Sequence, residues 1–369
     1  MRRFSFARGK APGFFALAVF FCFGAAGLAA ETKQIPGSEG VLLYGHPRFI
    51  TGANSAAGGP VFTTGSYSLT MNPALPADLQ CLSADLGYTG LLAAGEDAGH
   101  AAALRLGAAA PTRFGVFSAA AQGLFAKEVL GVGNIAIGRL GWSRDVTRNF
   151  YLGLSVTGGA LFYDGYRDFY IAADLGAWLR FPEIAFLKQV RFAAVAQNLG
   201  KTFTQFGPDD GGAAFDIRGY PGMITPKVGA AAHLLEKKGL ILGVSADLSV
   251  PTLSNLVFNT GLQAVIADLV YVSAGWDFNL WEAAEKWGPG NGRTGFHSPY
   301  IGLGVKLSIN TSGNETMKKR GFDQTDITAD AVWQRLWKDV HLYSLGAAAS
   351  FGVRDTIPPD IHVGAIRND

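Results

Sequence analysis

The sequence contains little cysteine and little charge, and beyond its first thirty residues it contains no long apolar run. Of its 2 cysteines, Cys22 lies in an N-terminal apolar stretch and Cys81 is alone in the rest of the chain. Neither an internal disulfide nor a cysteine metal cluster is therefore expected. Charged residues make up 16% of the chain, whereas about a quarter is typical of soluble domains. Because no apolar run of about eighteen residues follows Ala30, we exclude a helical membrane protein.

Motifs of metal, nucleotide and nucleic-acid chemistry are also missing. The 6 histidines are scattered and form no H-E-x-x-H pattern, so no metal site is predicted. The segment Gly290–Gly295 matches G-x-G-x-x-G but lies in a turn-rich stretch, and we interpret it as loop glycine. A formal net charge of +2 gives no reason to expect a nucleic-acid partner. We predict a protein that is not an enzyme and has no cofactor, although a Ser-His-Asp set assembled in space stays open.

The N-terminus has the pattern of an export signal. Four basic residues precede the apolar stretch Phe14–Ala30, which contains the small-x-small sequence Gly27-Leu28-Ala29. The stretch has about 17 residues, slightly fewer than the ~20 of a spanning helix. We predict that residues 1–30 are a signal peptide cleaved near residues 29–30, and an uncleaved anchor is the alternative.

Most of the remaining chain repeats one unit, in which about ten apolar and small polar residues alternate before a turn. In Pro299–Asn310, Ile, Leu and Val occupy every second position, and Gly, Lys and Ser lie between them. The same period of two runs through Asp168–Arg180, Gly239–Val250 and Asp268–Leu280. These segments have about 11 to 13 residues, against ~5–6 in soluble strands and the ~9–11 that cross a bilayer.

The apolar faces of these segments carry no charge, as a lipid-facing surface requires. We therefore predict an all-β fold, a transmembrane antiparallel β-barrel of about fourteen strands over residues 81–354. Candidate strands start near residues 82, 101, 112, 131, 149, 168, 189, 226, 239, 255, 268, 298, 327 and 340. The assignment near residue 327 is the weakest, so twelve or sixteen strands stay open, and Arg113–Phe125 and Gly131–Trp142 leave their inward face undecided. A secreted β-sandwich or propeller with long strands is the alternative fold.

Residues 31–80, which precede the barrel, are irregular and rich in Gly, Pro, Ser and Ala. A free loop of this length is unusual in a compact domain, so the segment needs a surface to pack against. We predict that it folds into the barrel lumen as a hatch or plug. After the last alternating segment, Asp355–Ile361 contains Pro-Pro, which cannot continue the interior of a sheet. Residues 355–369 are therefore predicted to be a C-terminal tail.

Six polar residues on the lumen side of the predicted strands are candidates for the lumen lining: Asp174, Arg180, Asp247, Asp277, Asn279 and Lys306. Charges inside a barrel must be paired, so one interpretation is a mutually satisfied network that stiffens the barrel. The other interpretation is the lining of a permeation path.

A short signature before the first strand resembles a known family. Gly52-Ala-Asn-Ser and Ser68-Leu-Thr-Met-Asn-Pro-Ala-Leu75 are similar to the Asn-Pro-Ala region of long-chain fatty-acid-transporter (FadL-type) barrels. They are most similar to a spirochaetal, mainly treponemal, family of outer-membrane proteins related to those barrels. The resemblance spans about Ser38–Val353. It implies a monomeric outer-membrane barrel whose N-terminal segment folds inward as a hatch, with Asn72 and Pro73 as hatch or constriction residues. It also implies hydrophobic ligands, typically long-chain fatty acids, that bind near the outer loops and leave through the wall or past the hatch.

We therefore predict an exported protein of the cell outer membrane, embedded in lipid, that takes up hydrophobic compounds by passive diffusion. Apolar burial of roughly 0.8 kcal/mol per ligand CH₂ would drive binding. Two other functions stay open. A general porin would need an open hydrophilic lumen, which a folded hatch at residues 31–78 disfavours. A structural or adhesive scaffold would take up no ligand and would bind a partner through loops such as Lys201–Thr225.

Overall fold

The computed structural model describes residues 42–51, 54–62, 64–79, 81–93, 99–125, 133–163, 165–203, 221–280, 283, 299–310, 324–337 and 340–352. The predicted signal peptide (1–30) and C-terminal tail (355–369) lie outside these ranges. Residues 31–41 of the predicted hatch also lie outside them.

The described chain forms one closed antiparallel barrel of fourteen strands, in which each strand pairs with its neighbours in sequence. The strands are β1 Leu82–Ala93, β2 Gly99–Thr112, β3 Gly115–Phe125, β4 Asn134–Thr147, β5 Phe150–Tyr163, β6 Tyr166–Ile184, β7 Leu187–Lys201, β8 Thr225–Lys237, β9 Leu240–Ser249, β10 Val257–Ile266, β11 Val270–Asn279, β12 Tyr300–Asn310, β13 Gln324–Trp337 and β14 Val340–Phe351. The barrel closes where β1 pairs with β14, from Leu82↔Phe351 to Ala93↔Val340. The predicted all-β barrel of about fourteen strands is confirmed, and the sandwich alternative is excluded.

The strands begin close to the predicted positions. The largest differences are at β3, β4 and β13, which begin at Gly115, Asn134 and Gln324 where residues 112, 131 and 327 were expected. The weakest assignment therefore corresponds to a full strand, β13, and the alternatives of twelve and sixteen strands are wrong.

Alternation of the side chains explains why these segments form the wall. In β9, Leu240, Ala246 and Leu248 are exposed on the outside of the barrel, and Ser245 and Asp247 are buried. Successive side chains of a strand point to opposite faces, so a period of two gives each strand an apolar outer face and a more polar inner face. β6, β11 and β12 follow the same rule.

β3 and β4 carry apolar side chains on both faces, which is why the sequence left their inward side undecided. On the inside, Val116, Leu124 and Ile135 are 5%, 1% and 3% exposed. On the outside, Phe117 and Leu140 are 49% and 68% exposed. The inner apolar residues contact other protein groups instead of solvent, and they share the inner face with polar residues such as Gln122 and Arg139.

The two ends of the barrel differ in their connections. At one end, called the turn end, short turns join β2 to β3, β4 to β5, β6 to β7, β8 to β9 and β10 to β11. At the other end, called the loop end, the long connections β7–β8 and β11–β12 occur together with β1–β2 and β3–β4. The connection between β12 and β13 is also at the turn end and is longer than the other connections there.

Little helix is present in the described residues. One α-helix, α1, covers Pro47–Thr51, and 3-10 turns cover Ser66–Thr70, Leu75–Asp78 and Pro251–Leu253. Within the described ranges, no helix has the length and apolar character needed to cross a membrane.

Candidate functional site

The described residues between 42 and 79 (42–51, 54–62 and 64–79), called the inner segment below, contact strands on every side of the barrel. α1 contacts β1 and β11–β14, the turn Ser66–Thr70 contacts β1–β3, and the turn Leu75–Asp78 contacts β3–β5. The stretch Asn54–Pro60 is hydrogen-bonded to β7–β9. A segment that touches strands all around a closed sheet lies inside it, so the inner segment occupies the lumen.

Side chains on the inward face of the wall bind the backbone of the inner segment. The donors are Gln122 to the carbonyl of Leu42, Tyr300 to Thr51, Lys227 to Asn54, Arg191 to Gly59 and Pro60, Gln197 to Thr70, and Trp178 to Ala74, at 2.8–3.2 Å. Each such hydrogen bond contributes about 0.5–1.5 kcal/mol, and more when the donor is charged. The set fixes the position of the inner segment against five different strands.

Two buried ion pairs add to this attachment. Arg48 Nε lies 2.8 Å from Asp330 Oδ2, and the two side chains are 5% and 7% exposed. Arg105 pairs with Asp85, which also accepts a hydrogen bond from the Ser66 hydroxyl. Because a buried charge without its partner is strongly destabilising, each pair ties the inner segment or its immediate contacts to a defined place on the wall.

His46 occupies an electrostatically unusual position within the inner segment. Its side chain is 0% exposed. Its ring stacks on Tyr67 with centroids 5.3 Å apart, and its Nδ1 accepts a hydrogen bond from the backbone N–H of Arg48 at 3.1 Å. Burial lowers the pKa of His46 well below 6.5, and the positive charges of Arg105 and Arg48 lower it further. The docked segment therefore contains a neutral histidine.

The signature residue Asn72 ties the inner segment to itself and to the wall. Its Nδ2 donates to the carbonyls of Ala56 and Ala177 at 3.0 and 3.3 Å, and its Oδ1 accepts from the N–H of Ala74 at 2.9 Å. Pro73 follows it, with its carbonyl against Gly153 of β5. Both residues lie in the turn-end half of the lumen.

The six candidate lining residues are on inward positions but have different surroundings. Asp174 is buried and accepts from Ser155 Oγ and the N–H of Asn198 at 2.7 and 2.8 Å. Asp247 accepts from the N–H of Ala56 at 2.7 Å.

Arg180 binds the side-chain oxygen of Gln189 at 2.8 and 3.0 Å. Lys306 lies at the turn end, 3.2 Å from Asp268 and 3.6 Å from Asp326. Of the six, only Asp277 and Asn279 line a cavity in the loop-end half of the lumen.

A cavity of about 150 Å³ lies between the inner segment and the wall in the loop-end half of the lumen. Its apolar lining comes from Leu42, Leu43, Tyr44, Phe49, Ile50, Pro221, Pro251, Val257, Tyr300 and Leu336, and its polar lining includes Asn54, Gln197, Asn259, Asp277 and Asn279. Two cations, Arg139 of β4 and Lys227 of β8, also line it. Arg139 Nε donates to Thr157 at 2.8 Å, but its Nη1 is buried without a hydrogen-bond partner among the described residues.

The inward wall around this half of the lumen is apolar on β1, β3–β6, β13 and β14, whereas β7, β8, β10 and β11 contribute the polar residues Gln197, Lys227, Asn259, Asp277 and Asn279. We call the following set the apolar ring: Leu91, Leu124, Ile135, Leu161, Tyr170, Val332, Leu336 and Leu342, all buried in one cluster with Tyr44 and Ile50 of the inner segment. Each wall member of the ring lies toward the loop end of its strand. A second cavity of about 20 Å³ adjoins the first and shares Leu42, Thr70 and Arg139 with it.

Sequence reasoning missed Arg139, Lys227, Arg105 and Arg191 as lumen residues. Each is a cation at an inward position with an uncharged residue on either side, as in Ala103-Leu-Arg-Leu-Gly107. A cation between two uncharged neighbours in an alternating strand was therefore the signal that could have identified them.

Comparisons with known proteins gave structural likeness only. No family model and no curated protein sequence matches the chain. The Ralstonia pickettii toluene transporter TbuX superposes with a TM-score of 0.49 at 11% identity, covering 84% of this chain and 99% of that chain. The Pseudomonas putida toluene transporter TodX superposes with a TM-score of 0.48 at 10% identity, covering 84% of this chain and 99% of that chain. A Pseudomonas aeruginosa FadL homologue superposes with a TM-score of 0.45 at 13% identity, covering 82% of this chain and 98% of that chain. The chain is similar in fold to these barrels, but sequence identities and TM-scores this low assign it to no family.

Proposed function

We propose that this protein is an outer-membrane channel through which hydrophobic compounds diffuse passively, and that the inner segment is its hatch. The observation that carries the proposal is the apolar ring with its adjoining cavity. Porin lumens are polar and water-filled, whereas Leu91, Leu124 and Leu342 face inward here with exposures of 0–1%. A lumen with this lining offers a favourable environment to an apolar solute and an unfavourable one to a hydrated ion.

The outer surface of the barrel supports a membrane location. Large apolar side chains are exposed all around it, including Leu106 (60%), Leu175 (54%), Leu303 (59%) and Leu345 (57%). Soluble monomers rarely expose contiguous apolar surface on this scale. A closed sheet leaves no unpaired backbone edge to the lipid, which is why barrels can span membranes. The signal peptide, export and the monomeric state remain predictions.

Long-chain fatty acids are the first ligand class that we propose. Arg139 and Lys227 both line the cavity. Arg139 Nε lies 3.8 Å from the Asp174 carboxylate, and its Nη1 is buried without a hydrogen-bond partner among the described residues. A carboxylate oxygen could accept from Arg139 Nη1, in a charge-assisted bond that is about twice as strong as a neutral one. The acyl chain would then lie along the apolar ring, in contact with side chains such as Ile50 and Leu336.

The size of the cavity favours a second ligand class, small aromatic hydrocarbons. An apolar protein cavity of about 150 Å³ can hold one benzene molecule, and the cavity here has about that volume. A long acyl chain would need space beyond it. The second class needs no cation, so Arg139 distinguishes the two.

Binding of a fatty acid and of toluene to Arg139→Gln protein separates these classes. For a fatty acid we expect the Kd to rise about 10-fold or more, because a hydrogen bond to a charged group contributes about 1.5–3 kcal/mol. Toluene binding should be unchanged. Arg144→Gln is the matched control, because Arg144 is on the same strand but does not line the cavity. Equal loss in both variants contradicts the fatty-acid assignment, and no binding of either compound to the wild type contradicts the channel.

Deleting residues 42–79 tests the hatch. We expect a large rise in single-channel conductance in planar bilayers, because the deletion removes the groups that fill the lumen. A general porin, which conducts with the segment in place, would barely change. A structural or adhesive barrel would be indicated if liposomes containing the wild-type protein take up neither ligand.

A further inference from the structure

Four positions on the outer wall lie side by side at the loop end of neighbouring strands. Arg335 of β13 is opposite His341 of β14, His341 is opposite Leu92 of β1, and Leu92 is opposite His100 of β2. We call these four residues the basic row, in which Arg335, His341 and His100 are the basic members and Leu92 lies between the two histidines. Adjacent strands are about 4.8 Å apart, so the row extends about 14 Å around the barrel.

All four side chains face away from the lumen. Arg335, Leu92 and His100 are exposed, and His341 is half-buried. Leu91, which precedes Leu92, and Leu342, which follows His341, are both 0% exposed and belong to the apolar ring on the inner face. Because side chains alternate along a strand, the basic row is on the outside of the wall.

Two amphipathic aromatic residues lie one step nearer the middle of the barrel. Trp333 and Tyr343 are cross-strand partners, 37% and 47% exposed. The His341 ring stacks on Trp333 with centroids 6.0 Å apart, and it lies 6.4 Å from the Tyr343 ring. Trp and Tyr concentrate at the level of the lipid head groups. This pair therefore marks the membrane surface, and the basic row lies at or just above it.

The chemistry of the row suits an anionic head group. An Arg guanidinium binds phosphate through two parallel N–H donors, and an imidazole donates from its ring N–H. His341 Nδ1 is buried without a hydrogen-bond partner among the described residues, so the ring contacts the head group through Nε2. Leu92 separates the two histidines and can contact an acyl chain below the head group.

We propose that the basic row binds the phosphate head group of an anionic membrane lipid in the leaflet at the loop end. The inference rests on the membrane location within the proposed function and is independent of what the lumen transports. Arg335 and His341 hold the phosphate, and His100 contacts a second acidic or hydroxyl group of the same head group. Trp333 and Tyr343 pack against the first carbons of the acyl chains.

Native mass spectrometry of the detergent-solubilised full-length protein tests the proposal. The probes are phosphatidylglycerol and phosphatidylcholine with identical acyl chains. We expect tighter binding of phosphatidylglycerol to the wild type and an affinity about fivefold lower in Arg335→Gln, the effect of roughly one basic residue near an anionic lipid surface. His341→Gln should weaken binding in the same direction.

Arg167→Gln is the matched control. Arg167 is exposed at the loop end of β6, and it is opposite Phe162 instead of another base. Its replacement removes the same charge from the same rim and should leave lipid affinity unchanged. Heat-modifiable mobility on gels verifies that each variant is folded, and His341→Gln keeps the test available if Arg335→Gln does not fold.

Three results would overturn the proposal. These are equal binding of the two lipids, equal weakening by Arg335→Gln and Arg167→Gln, or displacement of the lipid by inorganic phosphate at the same concentration. Failure of the proposed channel has a different readout, because ligand uptake into liposomes would be absent while lipid binding persisted.

Discussion

His46 makes attachment of the inner segment dependent on pH. Burial, followed by the charges of Arg105 and Arg48, keeps its pKa well below 6.5 in the docked segment. A released segment would titrate near 6.5, so release is accompanied by proton uptake below that pH. Docking is therefore fully stable above about pH 6.5 and weakens below it, by at most about 1.4 kcal/mol per pH unit.

We expect the conductance of wild-type channels to rise as the pH is lowered from 7.5 to 5. In His46→Asn protein the side-chain oxygen can replace Nδ1 as acceptor for the N–H of Arg48 but cannot be protonated in this range. Its conductance should be constant over the same interval. The same pH response in both proteins would assign the effect to other groups.

Glycines on the inward face of several strands make room for the inner segment. A β-carbon at Gly87, Gly153, Gly176, Gly243, Gly302 or Gly346 would overlap an atom of that segment. At Gly153 the obstructing atoms are the carbonyl of Pro73 and the N–H of Ala74, which are backbone and cannot rotate away. The sheet is thus shaped to accept one particular path of the chain.

Gly153→Ala and Gly158→Ala, both in β5, test this fit. Overpacking typically destabilises by about 1–3 kcal/mol, so Gly153→Ala should loosen residues 72–74. Gly158 has no atom within 4 Å of its β-carbon position, and its replacement should be neutral or stabilising by about 0.4–1 kcal/mol. Hydrogen exchange of residues 64–79 at constant pH measures the difference. Equal exchange in the two variants would mean that the segment is not seated on Gly153.

Strand-level patterns could be predicted from the sequence, but the interior could not. A period of two is local, so it located β6, β9, β11 and β12 and their outer faces without any knowledge of partners. The ion pair of Arg48 with Asp330 joins residues 282 positions apart, and no local pattern encodes it. β3 and β4 were undecided for the same reason, because their inner faces contact apolar groups that the chain brings there from elsewhere.

The molecule as a whole reverses the usual arrangement of a soluble protein. Apolar side chains cover the outside, and the charged residues Arg105, Asp174, Arg191 and Asp247 are 0–2% exposed on the inside. Burying them requires partners, and the inner segment supplies carbonyls and N–H groups to Arg105, Arg191 and Asp247. The wall and its contents therefore stabilise each other, and we expect the barrel without residues 42–79 to be less stable than the full chain.

Position in the bilayer gives a final prediction for the whole barrel. Val156 lies at the middle of β5 and Leu152 near its turn end, on the same outward face, with exposures of 50% and 40%. An arginine at the bilayer midplane destabilises a barrel by about 2–4 kcal/mol, falling to about 0–1 near the interface. Val156→Arg should therefore strongly reduce the fraction folded into lipid vesicles, measured by heat-modifiable mobility, and Leu152→Arg should reduce it only slightly. Equal effects would place β5 outside a bilayer, and with it the membrane-spanning barrel on which the proposed channel depends.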